Sequence, residues 1–428
     1  MRWSLKFLKF WDKLRTGFWF LPLIMSLSAI TLHFILIWVD RRYNHDILVK
    51  LQFIWVGGLD GAREVLSTIA TTTISLTGVT FSITIVALSL ASSQFGPRIL
   101  RNFLRDRGNQ FVLGTFVSTF IYALFVLRTL SEINGEAFVP WVSITFSIFL
   151  SMASLATLVY FIHHISVSIQ APNVVHEAFR ELQAGIKQLF PDKDLKPLRQ
   201  FSDSNNWTEA FTVYSEKSGY LQSIGSNTLA HLAKQEGCVL RTALRPGAYV
   251  LNKDPLLQVL PGVKLSDRLA EKLRNQFILG PSRTPLEDIE CSISQIVEIA
   301  VRALSPGIND PFTAIHCLDC LTAALSEMLE RRFPECFQLD EEQNIRFLFP
   351  PIMFEEILHL AFSPIRQYTT SSQMVMRRLA ECLKKLKGRA IQDVHRHDIQ
   401  TEIEFLLESI RQSTLPETDR RRCLEILE

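Results

Sequence analysis

From Leu66 to Ser93 the chain runs LSTIATTTISLTGVTFSITIVALSLASS, an uncharged apolar stretch in which nearly every second residue is Ser or Thr. A helix needs about 20 apolar residues to cross a hydrocarbon core of about 30 Å, and this stretch exceeds that. Its hydroxyls narrow the options further. Membrane helices place Ser and Thr where they touch other helices or border a polar path, so the segment implies an assembled membrane protein. On a helix, Thr68, Ser75, Ser82 and Ser89 form one slowly drifting stripe. Thr73, Thr77, Thr80 and Thr84 form a second, on roughly the opposite side. A helix with lipid on one side needs one polar stripe. Two stripes imply packing within the subunit on one face and a symmetry mate or aqueous path on the other. The Thr73/Thr77/Thr80/Thr84 face is the candidate pore or helix-packing face. A blander reading competes, because Ser and Thr also bond the carbonyl one turn back and then need no partner.

Three more segments are long and apolar enough to span. The four lie near 18–39, 66–91, 111–130 and 138–162, within a transmembrane domain over 1–170. Arg2, Lys6, Lys9, Lys13 and Arg15 precede the first, whose apolar run is too long for a cleaved signal peptide and reads as an anchor. Those five basic residues, with Arg98, Arg101, Arg105 and Arg107 between the second and third spans, put the N-terminus and the C-terminal domain in the cytoplasm by the positive-inside rule. Asp60, Arg63 and Glu64 then stand at the outer end of the second span. They are a candidate outer mouth, or a surface ion pair and cap. Arg98, Arg101 and Arg105 follow its inner end, as inner mouth or lipid contacts. No charge interrupts the span itself, which argues against a proton relay there.

Beyond 170 the composition is that of a soluble protein. A helix and polar linker over 171–207 lead to a small α+β unit over 208–262 and a helical domain over 263–428. Phe211–Tyr214 and Tyr220–Ile224 read as a hairpin, Ser226–Gln235 as a short helix, and 238–244, 247–251 and 256–260 as further strands. Helices are expected at 265–277, 286–303, 311–331, 352–362, 369–388, 391–412 and 416–427, with breaks at Leu279–Pro285 and Phe362–Gln367. The fold class is therefore an α-helical polytopic membrane domain of four spans followed by an α+β, mainly helical, cytoplasmic domain.

Lys and Arg number 45 against 43 Asp and Glu, a balance that points away from nucleic acid. Seven cysteines, all after 237, are unevenly spaced and read as reduced thiols. His316, Cys317 and Cys320 share one helix without a second cluster of finger spacing, so no metal is expected. No phosphate loop, dinucleotide glycine pattern, nucleophile elbow or metalloprotease helix is present, so neither an enzyme nor a cofactor is expected. The segment Arg302-Ala-Leu-Ser-Pro-Gly-Ile-Asn-Asp-Pro-Phe-Thr313 joins two apolar helices, with Asp310 placed as N-cap and Pro311 at the first helical position. Packing or an anion site beside Arg302 are its two readings.

Four stretches, TGVTFSITIVALSLASSQFGPRILRNF (77–103), SGYLQSI (218–224), RPGAYV (245–250) and RALSPGINDPFTA (302–314), resemble the bacterial membrane-protein family catalogued as domain of unknown function 2254. The resemblance covers nearly the whole chain. It implies a bacterial inner (plasma) membrane location and marks Arg302, Ser305, Pro306, Gly307, Asn309, Asp310, Pro311 and Thr313 as the family's signature loop, but it supplies no activity. The expectation is a homo-oligomeric channel or pore-like protein in the lipid bilayer, passing an ion or small solute, with a cytoplasmic regulatory or assembly domain. The alternative is a membrane-anchored signalling or scaffold protein without transport.

Overall fold

The computed structural model describes residues 19–42, 54–96, 106–133, 136–192, 207–261, 266–370 and 372–427. The chain divides into two compact units, Met1–Asn173 and Val174–Glu428.

Four long helices make the first unit: α1 (Phe20–Arg42), α2 (Leu59–Phe95), α3 (Arg107–Thr129) and α4 (Trp141–Ser168). A short antiparallel hairpin, β1 (Ser131–Ile133) and β2 (Glu136–Phe138), joins α3 to α4 where only a loop is expected. Small residues place α3 at the centre, against the other three helices. Gly114 lets α3 close on α1, since a Cβ there would lie 2.5 Å from Met25 Sδ. Ala62, Ala70 and Ala123 are buried in the cluster with Leu66, Tyr122 and Ile144. This is the close-approach packing that replaces the hydrophobic effect between helices in lipid.

Polar ties complete the unit. Asp40, buried near the end of α1, accepts hydrogen bonds from the Val142 N–H (2.9 Å), the Ser143 N–H (3.0 Å) and the Ser143 hydroxyl (2.6 Å). It thus caps α4 from another helix and satisfies amides left over at a helix start. Thr119 and Ser154 hydroxyls meet at 3.1 Å between α3 and α4. At the other end Asp106 caps α3 through the Gly108 N–H at 2.7 Å and meets His164 of α4 at 2.5 Å. Arg128, near the end of α3, is exposed.

The second unit contains α5 from Val174 onward (Ala171–Leu189), two small sheets and, among the described residues, eight further α-helices and one short 3-10 helix, Trp207–Glu209. Strands β3 (Phe211–Tyr214), β5 (Val239–Arg241), β7 (Pro255–Leu260), β9 (Phe337–Leu339) and β10 (Ile345–Leu348) form a five-stranded sheet in the order β3-β7-β5-β10-β9, parallel only between β5 and β10. Strands β4 (Gly219–Ile224), β6 (Tyr249–Val250) and β8 (Phe277–Gly280) form a three-stranded antiparallel sheet. The short helices α6 (Ser226–Gln235) and α7 (Asp267–Arg274) join them around a core holding Leu221, Leu229, Leu240, Val250, Val259 and Phe347.

Two expectations are corrected here. Strands β3 and β4 are not a hairpin: β3 pairs with β7 and β4 with β6 and β8. Between them Ser215 turns inward, its N–H on the Asp254 carbonyl at 2.9 Å and its hydroxyl on the Lys217 carbonyl at 2.7 Å, which steers the chain from one sheet to the other. The break at Phe362–Gln367 is also absent. Helix α10 (Phe354–Gln367) runs through Pro364. Phe362 and Ile365 on either side are fully buried, and Arg366 reaches Ser409 at 2.8 Å, so tertiary packing outweighs the proline's local penalty.

The remaining helices are α8 (Ile289–Ala303), α9 (Pro311–Glu330), α11 (Gln373–Arg389), α12 (Asp393–Arg411) and α13 (Glu417–Leu427). With α1 to α4, α9 makes five helices long and apolar enough to cross a membrane among the described residues. Its acids are engaged within the second unit, Asp319 with Arg378 at 2.7 Å and Glu327 with Arg331 at 3.2 Å. The signature loop turns α8 into α9 and closes its own polar groups. The Asp310 N–H donates to the Ala303 carbonyl at 2.7 Å and the Ser305 hydroxyl to the Arg302 carbonyl at 2.6 Å. The Asp310 carboxylate accepts the Thr313 N–H at 3.1 Å and the Thr313 hydroxyl at 2.5 Å. Asn309 takes φ +49°, the left-handed region that Asn tolerates.

Two substitutions test these ties. Asp40→Ala should lower unfolding stability of the detergent-solubilised chain by about 2 kcal/mol, and Asp40→Asn, which keeps an acceptor, by less. Asp310→Ala should cost about 1 kcal/mol as a lost N-cap, visible as a small drop in thermal midpoint.

Candidate functional site

The two hydroxyl stripes of α2 have different surroundings. Thr73, Thr80 and Thr84 are buried inside the first unit and Thr77 is half-buried, in line with Ala70, Ala87 and Ala91. Thr73, Thr77 and Thr84 donate to the carbonyls of Ile69, Thr73 and Thr80 at 2.7 to 2.8 Å. The Thr80 hydroxyl is buried without a partner. The threonine face is therefore turned into its own unit, where helix packing occupies it. Thr68, Ser75, Ser82 and Ser89 are exposed, and a Cβ added at Gly78 would meet nothing within 4 Å.

At the start of α2, Asp60 and Arg63 form a 3.8 Å ion pair whose acid is fully exposed, and Glu64 is exposed beside them. Such a pair is weakly held in water. Arg98, Arg101 and Arg105 of the expected inner mouth lie outside the described residues.

In the second unit, Arg302 of the signature loop pairs with Glu298 at 3.3 Å, while Pro306, Gly307, Ile308 and Phe312 are exposed. Cys317 is fully buried and Cys320 nearly so. Burial raises the Cys317 thiol's pKa and, with the Asp319 charge adding to it, pushes Cys320 up to about 11. Both stay protonated at neutral pH and pack in the core.

A polar cluster that sequence reasoning did not assemble lies at the start of α8. Arg283 forks onto Asp288 at 2.7 and 2.8 Å, and Asp288 also caps α8 through the Cys291 N–H at 3.0 Å. Gly247, at φ +98°, leaves the room these two side chains need, for a Cβ there would strike Asp288. Arg245 binds Glu290 at 3.3 Å, Glu356 at 2.7 Å and the Pro351 carbonyl at 2.8 Å. Glu287 accepts the Ser223 hydroxyl at 2.7 Å and the Ile224 N–H at 3.1 Å. Parts of the SGYLQSI and RPGAYV stretches are thus gathered at one helix start. Asp288 ahead of an amphipathic helix was a readable capping signal, but nothing local to Glu287 or Arg245 reveals their partners.

The profile of a family described as predicted membrane protein (DUF2254) matches residues 15–385. An uncharacterized protein of Mycobacterium bovis and one of Mycobacterium tuberculosis strain H37Rv are each 33% identical over 381 residues, covering 88% of this chain and 73% of the relative. A counterpart from strain CDC 1551 is 32% identical over the same length. No solved structure matches the chain. With the apolar helices of the first unit and a match across most of its length, the chain belongs to this family of predicted membrane proteins.

Proposed function

We propose that the protein is a homo-oligomeric, non-enzymatic pore of the bacterial inner membrane, in which copies of α2 meet through the Thr68/Ser75/Ser82/Ser89 face. Helices α1 to α4 cross the bilayer, with the N-terminus and the second unit in the cytoplasm, as the basic residues of the tail and of the 97–107 segment favour. The observation that carries the reading is the exposed hydroxyl stripe of α2 around an uncovered Gly78. A face meant for lipid has no use for it, whereas a neighbouring helix or a file of water does. Packing inside the protomer already accounts for the threonine face, which moves the pore to the opposite side of the helix.

A scaffold without transport is the second reading. It is favoured by Ser75 and Ser82, whose hydroxyls already donate to the Thr71 and Gly78 carbonyls at 2.8 and 3.0 Å and so need no water. Ion flux across liposomes holding the purified protein, with cation and anion gradients run separately, separates the two. The pore reading expects selective flux that falls in Ser75→Leu/Ser82→Leu together with a change in oligomer size by cross-linking. Thr73→Val/Thr84→Val should leave selectivity unaltered. Oligomers that dissociate on the serine substitutions, with no flux from the unmodified protein, would leave only the scaffold.

A further inference from the structure

The second unit contains a cleft of about 930 Å³, bounded by the first turn of α8, the end of α5, β9 and the segment after β10. That is the size of a small-molecule site, roughly 300–1,000 Å³. Part of its lining is apolar and aromatic, with Phe333, Phe347, Phe349 and Pro350. Another part is charged, and its charges are unbalanced. Arg283 is taken by Asp288 and Glu290, Arg245 by Glu290 and Glu356, Arg332 by Glu335 and Arg346 by Asp340. Of these, Arg245, Arg332, Asp288, Glu290, Glu335 and Asp340 line the cleft, and with Glu287 added two guanidiniums stand against five carboxylates. Glu287 has no cation within 4 Å among the described residues.

We propose that this cleft binds a small organic cation, its ammonium on the Glu287 carboxylate and its apolar body against the phenyl rings. Glu287 is held ready for this. The Ser223 hydroxyl and the Ile224 N–H fix one lone pair on each of its oxygens, and the other lone pairs are left for a donor. Rings beside an ammonium add attraction from their negative faces. An anionic ligand finds no comparable partner, since both lining guanidiniums are engaged, Arg245 by two carboxylates and a carbonyl and Arg332 by Glu335. The inference stands apart from the pore reading, because binding is read without any flux.

Calorimetric titration of the full-length protein in detergent with tryptamine and with indole-3-propionate tests it, the two probes sharing a ring system and differing in charge. Tryptamine should bind saturably and at least about tenfold tighter than the carboxylate, as a charge-assisted hydrogen bond implies. Glu287→Gln keeps one oxygen acceptor for the Ile224 N–H and turns an amide N–H toward the Ser223 hydroxyl, which can accept it, and should weaken tryptamine by about tenfold or more in a protein that still folds. Absence of tryptamine binding, equal binding of both probes, or an unchanged affinity in a folded Glu287→Gln protein would each overturn the proposal. The comparison of the two probes on the unmodified chain decides the matter even if that variant does not fold.

Discussion

Asp40 sits near the end of one apolar helix and completes the beginning of another. Burial at the start of α4 keeps water from its first amides, and a free amide there is expensive. Asp40 meets two of them and the Ser143 hydroxyl as well. The same requirement recurs through the first unit. Hydroxyls turn back onto their own helices, Thr119 finds Ser154, and Tyr122 reaches the Ser143 carbonyl at 3.3 Å. Such interactions fix which helix faces which, a choice that apolar surface leaves open when the surroundings are equally apolar. Once α3 is set among α1, α2 and α4, the serine stripe of α2 is left outside.

The second unit relies on a different economy of contacts. Its core is apolar, and its charged side chains work as connectors between segments. Arg245 joins the loop before β6 to the starts of α8 and α10, and Arg283 ties the loop after β8 to the Asp288 cap. Each guanidinium has several donors in a fixed plane, which suits it to hold segments distant in sequence.

Elements that depend on local pattern were readable in the sequence. The long apolar helices α1 to α4 follow from runs of apolar residues, α6 from its amphipathic spacing, and the start of α9 from Asp310 and Pro311. Elements set by distant partners were not. Phe277–Gly280 reads as the end of a helix and the start of a loop until β4 pairs with it, and Ile345–Leu348 is too short to stand out without β5 and β9. The proline at 364 signals a break that packing overrules. Of the candidate sites, the threonine face was visible as a stripe, but only the neighbours of α2 show which stripe lies within the unit. Arg283 and the RPGAYV stretch were noticeable, yet Glu287 and Glu290 look like ordinary polar residues at a helix start. Glu287 is held by residues 63 and 64 positions away, and Glu290 meets Arg245 as well as the nearby Arg283.

Helix α2 is 37 residues long, about 55 Å at a rise of 1.5 Å per residue, nearly twice the hydrocarbon thickness of about 30 Å. It either leans strongly or emerges from the lipid. The stretch from Thr68 to Ser89 is shorter, about 32 Å. That length is close to the thickness of a bilayer's hydrocarbon core, about 30 Å. A lipid tail contributes no hydrogen bond anywhere along that depth.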